Sequence, residues 1–166
     1  MAQKILLGKG VFKIGEVAIG LTRGGGQFVN EREVRNIEAD GDRGPVKGRI
    51  VQDKATPKLT INALEIIGDN LTKMYSAIKA TTDVTTTTIT GTGEIADADY
   101  QASVSFVGET KDGKELTITV FNAINLENLD WTLADKDEVI ASLTYQGCYL
   151  EDSMAGYEPW EIEYAV

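Results

Sequence analysis

With no histidine anywhere in the chain, any catalysis would rest on carboxylates, hydroxyls or lysines, and carboxylates are the abundant group. They recur in close pairs: Asp40 and Asp42, Asp97 and Asp99, Asp135 and Asp137, Glu151 and Asp152, Glu161 and Glu163. Two carboxylates flanking a cleft can hydrolyse a glycoside, but spacing along a chain does not set any pair across a cleft. Most of these residues fall in turn-like stretches or near strand ends, where acidic side chains serve as solvated turn formers. The missing histidine also removes Ser–His and Cys–His nucleophiles, imidazole bases and His-ligated zinc. The one cysteine, Cys148, lies in the apolar run LTYQGCYL without an adjacent cation, which suits a packed thiol and not a nucleophile. No catalytic residue is expected, and an enzyme is the least supported reading.

Ligand sites fare no better. Asp40-Gly-Asp42-Arg-Gly44 hints at a calcium loop but lacks the third acidic ligand and the distal glutamate. Gly8-Lys-Gly10 and Gly24-Gly25-Gly26 lack the strand–glycine–helix setting of a phosphate loop, so they read as backbone bends or flexible tips. Trp131 and Trp160 would suit a sugar-stacking surface if exposed. However, Trp160 alternates with Ile162 and Tyr164 as core residues do, and Trp131 lies at an inter-strand corner. Neither a metal nor a cofactor is expected.

The elements that must carry these residues are mostly strands. At 166 residues, 42% hydrophobic and 25% charged, the chain fits one soluble domain, 1–166. A formal net charge of −10 opposes non-specific binding to nucleic acid or acidic membranes. No apolar run suits a signal peptide or a membrane span, which implies a protein made and kept in a cytoplasm. Alternating patterns predict half-buried antiparallel strands over 58–66, 100–109, 115–124, 139–146 and 160–164. Lys111-Asp112-Gly113-Lys114 predicts a hairpin turn. Leu71, Met74, Tyr75 and Ile78 predict one amphipathic helix, capped by Asp69 or Asn70. The Thr-rich run 81–92 would end it as a solvated loop leading into a strand. The expected fold is mainly β: an antiparallel β-sandwich or partly closed barrel with one flanking α-helix.

One stretch breaks the pattern. In QFVNEREVRNIEADGDRGPVKGR (27–49) a long strand carries Val29, Glu31, Glu33, Arg35 and Ile37 on one side and Asn30, Arg32, Val34, Asn36 and Glu38 on the other. Neither side is cleanly apolar. Two wet faces suit a strand between a water-filled space and a partner subunit, so the protein is expected to work within an assembly.

The chain resembles the major tail tube proteins of long-tailed bacteriophages, in particular those of phages and prophages of Gram-positive bacteria. The resemblance covers nearly the whole chain. An arm leads into GVFKIGEVAIGLTRGGG, then come the two-faced strand, the GPVKGR turn, KLTINALEI, a helix and the ending VIASLTYQGCYLEDSMAGYEPWEIEYAV, with DGDRGPVKG (40–48) the most specific piece. The resemblance implies a β-sandwich whose six copies close into a ring, with rings stacked into a hollow tube that conducts viral DNA. It implies a virion location in the tail and other tail proteins as partners: tape measure, distal tail and terminator. DNA would pass the lumen without specific binding, and no membrane would be engaged. Glu31, Glu33 and Arg35 would line that lumen; Asn30, Arg32 and Asn36 are the alternative, since a one-residue slip exchanges the faces. The loop 39–49, with Asp40, Asp42, Arg43, Pro45, Lys47 and Arg49, would contact the next ring, and the N-terminal arm 1–10 would add a second contact. Other readings are a tail terminator, a secretion-tube subunit, a capsid decoration protein, or a monomeric carbohydrate-binding β-sandwich.

Overall fold

The computed structural model describes residues 4–66 and 70–166. The first strands are β1 (Leu6–Ile14), the two-residue β2 (Val17–Ala18), the long β3 (Thr22–Asn36) and β4 (Ile50–Ala63). A helical turn, α1 (Leu71–Met74), precedes β5 (Ile78–Thr82) and β6 (Thr87–Gly91). Then follow β7 (Gln101–Thr110), β8 (Glu115–Asn125), β9 (Ala141–Gly147) and β10 (Trp160–Tyr164). Strands hold 52% of the residues and helix 6%, so the mainly β class holds.

Eight strands make one antiparallel sheet in the order β2-β1-β7-β8-β9-β4-β3, with β10 attached to β8 off this path. The sheet forks at β8, where Leu116–Val120 pair with β10 and Ala123–Asn125 pair with β9. The two branches lie over one another, which is consistent with a sandwich. Phe12 of β1 and Gly26 of β3, near opposite ends of the strand order, come so close that a Cβ on Gly26 would lie 2.6 Å from the Phe12 ring. Between the branches are buried Phe12, Ile14, Leu59, Ile61, Val104, Val120, Leu143 and Tyr145. Each such side chain contributes about 1.5–3 kcal/mol. β1 meets β3 through a side chain and not through an edge. The sheet is therefore not closed into a barrel.

Local patterns set much of this. In β4, Ala55, Pro57, Leu59, Ile61 and Ala63 are buried and the residues between them are half-buried. β9 repeats the alternation with Ala141, Leu143 and Tyr145. The hairpin at 111–114 forms as expected, with Gly113 at φ 77° and its N–H donating to the Thr110 carbonyl at 2.9 Å.

Several boundaries differ from expectation. The helix is a single turn: Tyr75 is already extended, Ala77 takes φ 56°, and Ile78 opens β5. Asn70 stands at its N-terminus without a side-chain cap, and Asp69 lies outside the described residues. The Thr-rich run does lead into a strand, β6, but its first residues belong to a strand as well: β-branched residues on both arms pair as Thr81 with Thr88 and Thr82 with Thr87, and only 83–86 remain as the connecting turn. The strand expected at 58–66 runs instead from Ile50 to Ala63, and the one expected at 139–146 begins at Ala141. The Gly24–Gly26 run is a backbone bend and not a tip: the register of β3 shifts there, with Gly24 and Gly25 at φ 85° and 68°. On β10, Trp160 is half-buried as core patterning implies, but Ile162 and Tyr164 are 44% and 61% exposed.

Candidate assembly interface

β3 is the last strand of the sheet, so among the described residues no strand pairs with the outer edge of its fifteen residues. β4 covers its inner edge but is itself paired with β9 only from Lys58 to Ala63. Residues 30–36 and 50–57 thus continue as a two-stranded ribbon past the end of β9, with Ala55 and Pro57 at its root still buried. Pro57, with no N–H to donate, stands where the β9 pairing stops. At about 3.3 Å per residue the ribbon extends roughly 25 Å. Two-stranded ribbons are marginal alone, so its side chains must hold it.

On one face the strands are laced by ion pairs. Glu31 meets Lys58 Nζ at 2.9 Å, Glu33 meets Lys54 Nζ at 3.5 Å, and Arg35 Nε binds both Asp53 oxygens at 3.1 and 2.8 Å. Asp53 is the extra residue of a bulge, since Glu33 faces Lys54 while Val34 faces Gln52. All six side chains are solvent-accessible, so each pair contributes only about 0–1 kcal/mol. Their sum is a neutral face, not the negative one that Glu31 and Glu33 alone suggest.

The opposite face continues from Phe28, which packs on the core and meets Trp160 at 5.7 Å between ring centroids. It carries Asn30, Arg32, Val34 and Asn36. The two candidate sets therefore occupy opposite faces, Glu31, Glu33 and Arg35 lying away from the core. Near the core-side face Glu158 gathers three donors: Trp160 Nε1 at 2.6 Å, Gln52 Nε2 at 2.6 Å and Asn30 Nδ2 at 3.0 Å. The Trp160 and Gln52 bonds hold its carboxyl below the ordinary glutamate range. This junction ties β3, β4 and β10 together. Sequence reasoning missed it, because Asn30 and Gln52 lie 128 and 106 residues from Glu158 along the chain.

At the far end, the turn 37–49 is closed by its own bonds. Asp42 accepts from the Ala39 N–H and from Arg49 Nη1, both at 2.8 Å, and the Ile37 N–H donates to the Arg49 carbonyl. Asp42 and Arg49 are therefore engaged within the turn. Asp40, Arg43, Pro45 and Lys47 lie along it and are exposed, whereas Val46 and Arg49 are half-buried. Val34, Ile37 and Ile50 are 59%, 47% and 58% exposed at this end. Of the N-terminal arm 1–10, residues 6–10 belong to β1, and residues 1–3 lie outside the described residues.

The remaining candidates resolve into packing and turns. Asp99 accepts from the Ala96 N–H at 2.8 Å, closing a turn. Trp131 is half-buried against the core and donates to the Tyr75 hydroxyl at 3.1 Å. Cys148 is half-buried, and burial pushes its thiol up, away from the reactive thiolate. Among the described residues no three Asp, Glu or Cys side chains converge as metal ligands, and no helix is long and apolar enough to cross a membrane. An open cleft of about 650 Å³ lies between the ribbon and residues 149–158. Its Glu158 is held ionised, the reverse of a general acid. No family model matches this chain, and no curated protein matches it.

Proposed function

We propose that the protein is a structural subunit whose copies close into hexameric rings that stack as the hollow tail tube of a long-tailed bacteriophage. The observation that carries this reading is the ribbon: a fifteen-residue edge strand, unpaired outside, polar on the face turned from the core. An edge of that length is a template for pairing with another chain, and closure into a ring removes it. Glu31, Glu33 and Arg35, with their partners Lys58, Lys54 and Asp53, make a charge-neutral face that suits a lumen wall. Its paired lysines leave no cationic cluster to hold phosphates. Asp40, Arg43, Pro45 and Lys47 at the exposed turn are placed to meet the next ring.

The test is negative-stain electron microscopy of the purified protein across a concentration series, with tail extract added as a seed. Stacked rings or long tubes with a central channel support the reading. Uniform monomers at every concentration, seeded or not, overturn it.

A further inference from the structure

We infer that the cleft between β4 and residues 149–158 takes a lone extended segment of another protein, cationic and in part apolar, as an added strand. The inference goes beyond the tube reading and does not depend on it. The cleft faces the edge of β4 and not a sheet face, because Gln52, Asp53, Lys54, Ala55 and Thr56 line it in unbroken succession. Successive residues of a strand point to opposite faces, so a cleft over one face would be lined by every second residue. Here Gln52 and Ala55 stand opposite Val34 and Arg32 on the core side, whereas Lys54 and Thr56 stand opposite Glu33 and Glu31 on the other. Pairing of β4 with β9 begins only at Lys58, so among the described residues no strand pairs with this side of Ile50–Pro57. The free backbone edge is a template for one more strand. Its lining residues span roughly 16 Å.

The far wall is made by Tyr149, Met154, Gly156, Tyr157 and Glu158. Tyr149 and Tyr157 meet edge to face at 6.4 Å between ring centroids, which steadies the wall. Met154 is 59% exposed and offers an adaptable apolar surface. About 650 Å³ lies between wall and strand, within the size range of ligand sites. A strand laid there has β4 along one edge and the wall along the other. An edge strand of a second folded copy brings its own sheet behind it, and that sheet would run into the wall. A lone extended segment fits.

Charge sets the chemistry of that segment. Asp53 is paired with Arg35 and Lys54 with Glu33, while Glu158 is engaged by Trp160, Gln52 and Asn30. Glu151 and Asp152, on the helical turn Glu151–Ser153 between Tyr149 and Met154, make no ion pair among the described residues. Residues 148–158 contain three acidic side chains and no basic one. Lysine or arginine on the incoming strand is therefore favoured, with apolar side chains between them to cover Tyr149, Met154 and Tyr157.

The experiment titrates the protein into a labelled short peptide that alternates lysine and valine, read by fluorescence polarisation after circular dichroism confirms folding. Wild type should bind it, and should bind a glutamate–valine peptide about tenfold more weakly or less. Hydrogen exchange at residues 52–56 should slow when the peptide is added. Methylating the peptide's backbone nitrogens should abolish binding, because pairing with β4 uses those N–H groups. Glu151→Lys with Asp152→Lys should reverse the charge preference. No binding by wild type, equal binding of the methylated peptide, or an unchanged preference in the variant overturns the inference. Self-association of wild type that the peptide displaces also overturns it, since the occupant is then a second copy.

Discussion

Two residues hold junctions between distant parts of the sheet. Glu158 is one, because its carboxylate accepts from β3, β4 and β10 together. Its depressed pKa makes the junction's stabilisation fully present above the ordinary glutamate range and lost as pH falls through the lower folded value. Glu158→Gln should cost about 1–2 kcal/mol near neutrality and flatten the loss of stability on acidification. Urea unfolding at a series of pH values checks this; parallel wild-type and variant curves would remove Glu158 from its role. Gly26 is the other. A methyl group there would collide with the Thr60 carbonyl and the Phe12 ring, so Gly26→Ala should destabilise by about 1–3 kcal/mol in thermal denaturation. An unchanged melting temperature would mean that the branches can part without penalty.

At the scale of elements, the ribbon and its turn are separable from the fold. No core residue lies between Asn36 and Ile50, and the turn is closed by bonds of its own. Deleting residues 40–48 should therefore leave a folded, monomeric domain by circular dichroism that no longer polymerises. Normal tubes from the deletion variant would show that the turn takes no part in assembly. Ordering even such a turn against a neighbour costs up to roughly 1–2 kcal/mol per residue that is still mobile. The bonds already made by Asp42 and Arg49 reduce that cost.

For the whole molecule, the net charge of −10 is unevenly placed: the first 63 residues are net basic and the rest strongly acidic. The proposed lumen face is balanced by Lys54 and Lys58. Reversing Glu31 and Glu33 to Lys would make that face cationic while leaving the core untouched. Under the proposed tail-tube function, phage carrying this double change should assemble tails and lose infectivity through retained DNA. Undiminished infectivity would place these residues elsewhere than the lumen.

The sequence by itself determined what depends on neighbours within a few residues. The alternating strands, the Asp112-Gly113 turn and the packed Cys148 and Trp131 follow from side-chain period, turn geometry and the want of a cation. It also showed that neither side of residues 29–38 is cleanly apolar. It misjudged Ile78 as helical, because helical and strand spacing both accommodate 71–78, and pairing of Ile78 with Gly91 decided between them. It placed Ile162 and Tyr164 in the core, because alternation reports which residues share a face and not whether another layer covers it. Only the tertiary structure brought Asn30, Gln52 and Trp160 to Glu158, left β3 at the edge, and paired Glu31 and Glu33 with lysines. Those are long-range juxtapositions, set by strand order, register and a bulge at Asp53, and no local pattern of residues encodes them.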